Sequence, residues 1–187
     1  MWGNAVHEGL EAYLKGEADL PENLEQYRDY AQQIQCRVPP GRMLVEQELA
    51  LNTKVQPCEW NAPDVWCRGI VDVLILYPNG NAVVIDHKTG KVKPDSKQLK
   101  LFALLVFAHY PEVNYCGTEF AWLAHDKSTV EGYYRAREAD LWKEFLPDLT
   151  RYKVAYKAEV FNPRPSGLCY GWCPVTDCEF WKPKKVK

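Results

Sequence analysis

The sequence predicts an α/β fold in which helices cover a central sheet, and three observations carry that prediction. Two nearly continuous apolar runs, at 69–76 and 82–88, meet across Tyr77-Pro78-Asn79-Gly80-Asn81. Strands rich in Val, Ile and Leu without strict alternation are buried on both faces. Segments with helical spacing precede and follow this pair, so the coarse order is helix, three strands, helix, strand. No repeat or low-complexity tract interrupts it.

At 187 residues the chain is read as one domain spanning 1–187, with 159–187 a cysteine-containing C-terminal extension. An apolar content of 47% is that of a globular protein, and no apolar run reaches membrane-spanning length, so no membrane association is expected. Nothing reads as a signal peptide. Seven cysteines are an odd number in a chain too large to need a disulfide scaffold, which suggests a reducing cytoplasm. The net charge of −2 excludes a globally basic nucleic-acid binder. Lys88, Lys91, Lys93, Lys97 and Lys100 nevertheless form a local basic stretch, suited to a phosphate-bearing polymer or simply to a solvated face.

Residues 1–15 place Val6, Leu10 and Leu14 at helical spacing, with Gly16 as the stop. His7 lies on the face of Leu10, where a lone histidine is ordinarily a satisfied polar group. A second helix is expected over about 21–35, ending before Pro39-Pro40-Gly41. Residues 43–51 alternate as a strand, with Leu44, Glu46 and Glu48 on one face and Val45, Gln47 and Leu49 on the other. Either glutamate could reach a neighbouring strand, but an exposed sheet edge explains both. Residues 52–64 read as a loop before the two apolar strands. A helix over about 95–109 follows, with Leu99, Phe102, Ala103, Leu105 and Val106 as its packing face. Strands over 117–124 and 129–136 and a long helix over 137–158 complete the chain.

The turn sets the register of the apolar pair. A two-residue Asn79-Gly80 loop would make Pro78 a ladder residue, a role it fills poorly. A three-residue loop puts Pro78 and Asn79 at the turn centre and Gly80 in the left-handed conformation, with Tyr77 paired to Asn81. Counting back sets Asp72 opposite Asp86, with Lys88 on the same face, about 6.6 Å along the strand. Carboxylates ~5 Å apart repel by roughly 3 kcal/mol at an effective dielectric near 20, a cost that a structural sheet has little reason to carry. A divalent cation between them reverses the sign. The competing reading is a buried ion-pair network, which leaves one net negative charge to bury.

Gly69-Ile70-Val71-Asp72, then Asp86-His87-Lys88, then Gln98-Leu99-Lys100-Leu101-Phe102 follow one another in a specific order. With that pattern the chain resembles the PD-(D/E)XK nuclease superfamily, in particular its RecB-like branch of viral exonucleases and CRISPR-associated relatives. The resemblance implies a restriction-endonuclease-like αβββαβ core with a central mixed sheet. It also gives Gly3-Asn4-Ala5-Val6-His7 a meaning, since a Gly-x-x-x-His motif in that branch supplies a further metal contact. The motif on the second core helix ends in Phe102 here rather than tyrosine, keeping a stacking surface without the hydroxyl. Relatives carry a segment before the histidine motif, which here begins at Gly3.

The resemblance implies metal-assisted hydrolysis of DNA phosphodiester bonds, by an exonuclease serving viral or bacterial replication, repair or recombination in the cytoplasm of a bacterium or an infected host cell. Asp72 and Asp86 would bind Mg²⁺ or Mn²⁺, with His7 and the backbone carbonyl of His87 as further ligands. Lys88 would hold the attacking water or stabilise the transition state, and Gln98 would orient Lys88 or the phosphate. The His87 side chain is expected on the opposite face, in a structural role. Lys91, Lys93, Lys97 and Phe102 are the expected DNA contacts, and terminal Lys182, Lys184, Lys185 and Lys187 read either as backbone-phosphate contacts or as a solvated tail. Cys169, Cys173 and Cys178 resemble the C-terminal part of an iron-sulfur motif found in some RecB-like nucleases; the fourth thiolate such a cluster or a structural zinc needs would have to come from Cys36, Cys58, Cys67 or Cys116, none in the expected place, so free thiols are the favoured reading. The alternatives are a noncatalytic nucleic-acid-binding module on the same skeleton and an iron-sulfur nuclease.

Overall fold

The apolar hairpin forms the middle of a five-stranded mixed sheet in the computed structural model, which describes residues 2–93 and 97–183. Strands β1 (Arg42–Asn52), β2 (Val65–Leu76), β3 (Asn81–Lys88), β4 (Tyr115–Trp122) and β5 (Lys127–Tyr134) lie in that order across the sheet. Only β3 and β4 are parallel. Parallel neighbours need a crossover, and helix α3 (Lys97–His109) provides it. The architecture is the expected restriction-endonuclease-like α/β fold. Contacts divide the chain into two units, 1–149 and 150–187, which are described separately.

In the first unit, each sheet face has its own apolar layer. Val6, Leu10 and Leu14 of α1 (Trp2–Lys15), with Ala31 and Ile34 of α2 (Arg28–Arg37), pack on Val73, Ile75 and Ile85. On the other face, Phe102 to Phe107 of α3 pack on Leu49, Leu51, Val71, Leu74 and Val84, joined by Trp142 and Phe145. The helix expected over 21–35 is instead a 3-10 segment, Glu22–Tyr27, leading into α2. Leu24 is thereby seated against Gly9 of α1. The start of the helix expected from residue 95 lies outside the described residues.

The turn has the predicted form. Gly80 has φ +81°, its amide donates to the Tyr77 carbonyl at 3.1 Å, and the Tyr77 amide donates to the Asn81 carbonyl at 2.9 Å. Val73 then pairs with Ile85, and the same count continues through Leu74 and Val84 to Leu76 and Ala82. The long helix expected over 137–158 is divided into α4 (Glu138–Trp142) and α5 (Leu146–Ala158). Pro147, in the first turn of α5, accounts for the break, because it has no N–H to bond the Lys143 carbonyl and its ring clashes with that group in a continuous helix.

Arg135 closes the C-terminal end of α3. Its guanidinium donates to the carbonyls of Phe107 at 2.9 Å, Tyr110 at 2.7 Å and Val113 at 2.6 Å. Phe107 lies in the last turn of α3, whose carbonyls have no intrahelical partners, and Tyr110 and Val113 belong to the turn that follows it.

The second unit continues α5 into a short 3-10 turn, Gly167–Cys169, where the Ser166 hydroxyl accepts from the Leu168 amide at 3.3 Å. Tyr170 and Lys182 form an isolated parallel bridge, and the Trp181 indole donates to the Cys173 carbonyl at 3.0 Å. Lys184, Lys185 and Lys187 lie outside the described residues.

Candidate active site

A paired break in β1 and β2 builds the site. In β2, Val71 belongs to the α3-side core, Val73 and Ile75 to the α1 side, and Leu74 again to the α3 side. Strict alternation would separate Val71 and Leu74, so the side-chain pattern slips at Asp72 and Val73. In β1, Leu44 and Leu49 both face α3, and the slip falls at Glu46, whose φ is +53°. The ladder pairs Val45 with Val73 and Gln47 with Val71 but leaves Glu46 and Asp72 out, so both strands break together and keep their register. The alternation expected from sequence, with Leu44 and Glu46 sharing a face, is corrected by this break.

Its consequence is that Asp72 turns toward α1. Asp72 Oδ1 is 3.4 Å from His7 Nδ1, and Oδ2 accepts the His87 amide at 2.5 Å. Asn4, His7, Glu8, Glu11, Glu46 and Asp72 share a cleft of about 390 Å³ that opens beside α1. Counting along ideal strands sets Asp72 and Asp86 on one face; here Asp72 is drawn toward His7 of α1 while Asp86 is held by Gln98 of α3. Donation from the His7 ring to the Asp72 carboxylate raises the His7 pKa, against the opposing effect of burial. Burial alone would push Asp72 up, but the His7 hydrogen bond, the nearby His87 ring and the His87 amide outweigh it and leave Asp72 below the usual carboxylate value.

The His87 side chain is the clearest correction. It was expected on the face away from the site, yet its Nδ1 lies 3.6 Å from Asp72 Oδ2 and its ring centroid 6.0 Å from that of His7. The slip in β2, not any change in β3, brings Asp72 round to the His87 face. Only 3% of His87 is exposed, and the edge of the Tyr30 ring closes over it at 5.6 Å. Burial pulls its pKa down to about 4, so the ring is neutral near pH 7. His7, Asp72 and His87 bring potential ligand atoms within 4.8 Å of one another, the only such group among the described residues.

On the α3 side, Asp86 sits in a closed triangle. Gln98 Nε2 donates to Asp86 Oδ1 at 3.0 Å, Lys88 Nζ donates to Gln98 Oε1 at 3.2 Å, and Lys88 Nζ makes an ion contact with Asp86 Oδ2 at 2.5 Å. At that distance the ammonium neutralises the buried Oδ2 directly. Burial raises the Asp86 pKa to about 6; Lys88 opposes the rise, and the charge of Asp72 adds to it. The Lys88 ammonium also lies 4.7 Å over the Phe120 ring. Helix α3 thus presents Gln98 to Asp86.

The expected DNA contacts separate into two groups. Lys91 and Lys93 are exposed in the loop after β3. Lys97 is also exposed but pairs with Glu144 at 3.3 Å, and Lys100 is held by the same carboxylate. Phe102 is only 4% exposed, and its ring lies 3.1 Å from where a side chain on Gly69 would begin. It is therefore a core residue seated in the notch that Gly69 leaves, not a stacking surface. Cys169, Cys173 and Cys178 do not gather into a three-ligand group among the described residues. Sequence reasoning missed the His87 ring, although a histidine in a strand covered on both faces needs a buried partner.

Residues 1–178 match the PD-(D/E)XK nuclease superfamily. The chain belongs to that superfamily. Its members generally use divalent metals, and the donors here suit one: the Asp72 carboxylate lies beside the His7 and His87 imidazoles. No curated protein sequence matches significantly. Among solved structures, a chain from Eubacterium rectale described as "Putative exonuclease" is 11% identical, with 97% of this chain and 76% of that one covered and a TM-score of 0.49. A chain described as SSO0001 is 14% identical over 67% of this chain and 60% of its own, with a TM-score of 0.34. Among the described residues no helix is long and apolar enough to cross a membrane.

Proposed function

We propose that the protein is a metal-dependent deoxyribonuclease of the RecB-like type, acting as an exonuclease in viral or bacterial DNA replication, repair or recombination. The observation that supports this reading best is the Lys88–Asp86–Gln98 triangle standing beside Asp72 and His7. A structural ion pair needs no second buried carboxylate whose charge raises the pKa of the first.

His7, Asp72, Asp86 and His87 hold a divalent ion, Mg²⁺ or Mn²⁺, which when bound supplies Lewis acidity and acidifies a coordinated water. Lys88 donates to the scissile phosphate or to the attacking water, where its positive charge offsets charge developing on phosphorus. Gln98 fixes that ammonium through Oε1 and fixes Asp86 through Nε2. Lys91, Lys93 and Lys97 lie near enough in sequence to follow the backbone of a bound strand. Neither the iron-sulfur nor the zinc reading of the C-terminal cysteines gains support from the arrangement of Cys169, Cys173 and Cys178.

The test is digestion of linear and circular DNA, single- and double-stranded, with Mg²⁺, Mn²⁺ or EDTA. Cleavage is expected with either metal, on linear substrates with circular ones spared, and is lost in Asp86→Ala and Lys88→Ala. No cleavage with either metal, or cleavage that survives both substitutions, removes the catalytic reading.

A further inference from the structure

We infer that the cleft between α1, α2 and the start of β5 is a base-binding subsite, which takes one unpaired nucleobase of the strand whose phosphate lies at the metal centre. This rests on the nuclease reading above and adds the substrate class: single-stranded DNA, or a duplex end frayed by at least one nucleotide.

The cleft holds about 810 Å³, within the range of sites that enclose small ligands, and its lining includes none of the residues assigned to the metal. It adjoins them all the same. Ala121, which lines the cleft, is the β4 partner of His87, and neighbouring strands lie about 4.8 Å apart. The Tyr30 ring lines it too and meets the His87 ring edge-on at a centroid distance of 5.6 Å, so one ring is a wall common to the cleft and the metal site. Trp2 lines it from the first turn of α1, the helix that carries His7. A nucleotide held at the metal site by its phosphate therefore has this cleft beside it.

The lining selects a base and not the backbone. Asp29, Glu119 and Asp126 set three carboxylates against the two cations Arg37 and Lys127. Arg37 is already paired with Glu119, at 3.1 Å. Such a surface repels phosphate, whereas an uncharged group meets no such barrier. Flat faces come from Trp2, which is 49% exposed, and from Tyr27 and Tyr30. Aromatic rings of this kind stack on bases whatever their sequence. Gln26 and Gln33 also line the cleft, and among the described residues neither side-chain amide is engaged by a protein partner. An amide offers donor and acceptor side by side, which suits the edge of a base. Stacking on protein rings with that edge read by side chains requires a base splayed out of its duplex.

The test is photocrosslinking of the full chain to single-stranded oligonucleotides that carry an iodinated deoxyuridine, in EDTA to prevent cleavage. Peptide mass spectrometry locates the adduct, and fluorescence anisotropy follows affinity. Adducts are expected on Trp2 or Tyr27. Trp2→Ala is expected to weaken single-strand binding about tenfold, the scale of one base–aromatic stack, and blunt-duplex binding by less than about twofold. Gln33→Ala, an exposed change that leaves the core intact, is expected to weaken single-strand binding about threefold. Adducts confined to residues outside the cleft, or unchanged affinity in both variants, overturn the inference while leaving the nuclease reading standing. Failure to bind any DNA, in EDTA or with Ca²⁺ in its place, overturns both.

Discussion

Asp86 shows how a single residue's environment becomes measurable. Burial lifts its pKa to about 6, so the folded chain holds this proton more tightly than the unfolded chain, where the group titrates near 3.8. Between those values the folded state binds more protons, and stability therefore falls as pH rises through about 4 to 6. In the presence of a chelator, urea unfolding of wild type is expected to lose ~2 kcal/mol more between pH 4 and pH 7 than that of Asp86→Asn. Equal losses in the two proteins would show that Asp86 is not the group responsible. The charge pattern that makes Asp86 a site residue was legible in Asp86-His87-Lys88. The role of the middle residue was not, because strand alternation alone assigned its ring to the wrong side of the site.

At the scale of elements, the paired break in β1 and β2 positions Asp72. Glu46 sits at φ +53°, where a side chain costs about 1–2 kcal/mol, and its carboxyl is raised by burial and by the neighbouring charge of Asp72. Glu46→Gly removes both penalties at a position suited to glycine, and an increase of about 1 kcal/mol in unfolding free energy is expected. A loss of stability would mean that Glu46 contributes a contact outweighing its strain. The strands themselves were readable from apolar runs, and the turn from Pro78, Asn79 and Gly80. The break was not readable, because Glu46 and Asp72 cause it only as cross-strand neighbours. Residues 45 to 49 taken alone satisfy ordinary alternation.

Across the whole molecule, the sheet works as a frame that brings α1 and α3 to its two faces at the end where β2 and β3 part. Leu10 is fully buried under α1, so Leu10→Ala is expected to cost 2–5 kcal/mol in urea unfolding and to weaken Mn²⁺ binding by loosening the helix that carries His7. His7→Gln should weaken Mn²⁺ binding with less than about 1 kcal/mol lost, since the His7 side chain is 35% exposed. Parallel losses in the two variants would place His7 in the stability of the core. The sequence by itself determined the α/β class, the order of the strands and the hairpin register, because each depends on local periodicity, turn chemistry and spacing within one segment. Only the tertiary structure decided that Phe102 is core, that Lys97 and Lys100 share Glu144, and that His87 faces Asp72. Those outcomes depend on which side chains meet across elements far apart in the chain, and no spacing within a single strand or helix encodes such a meeting.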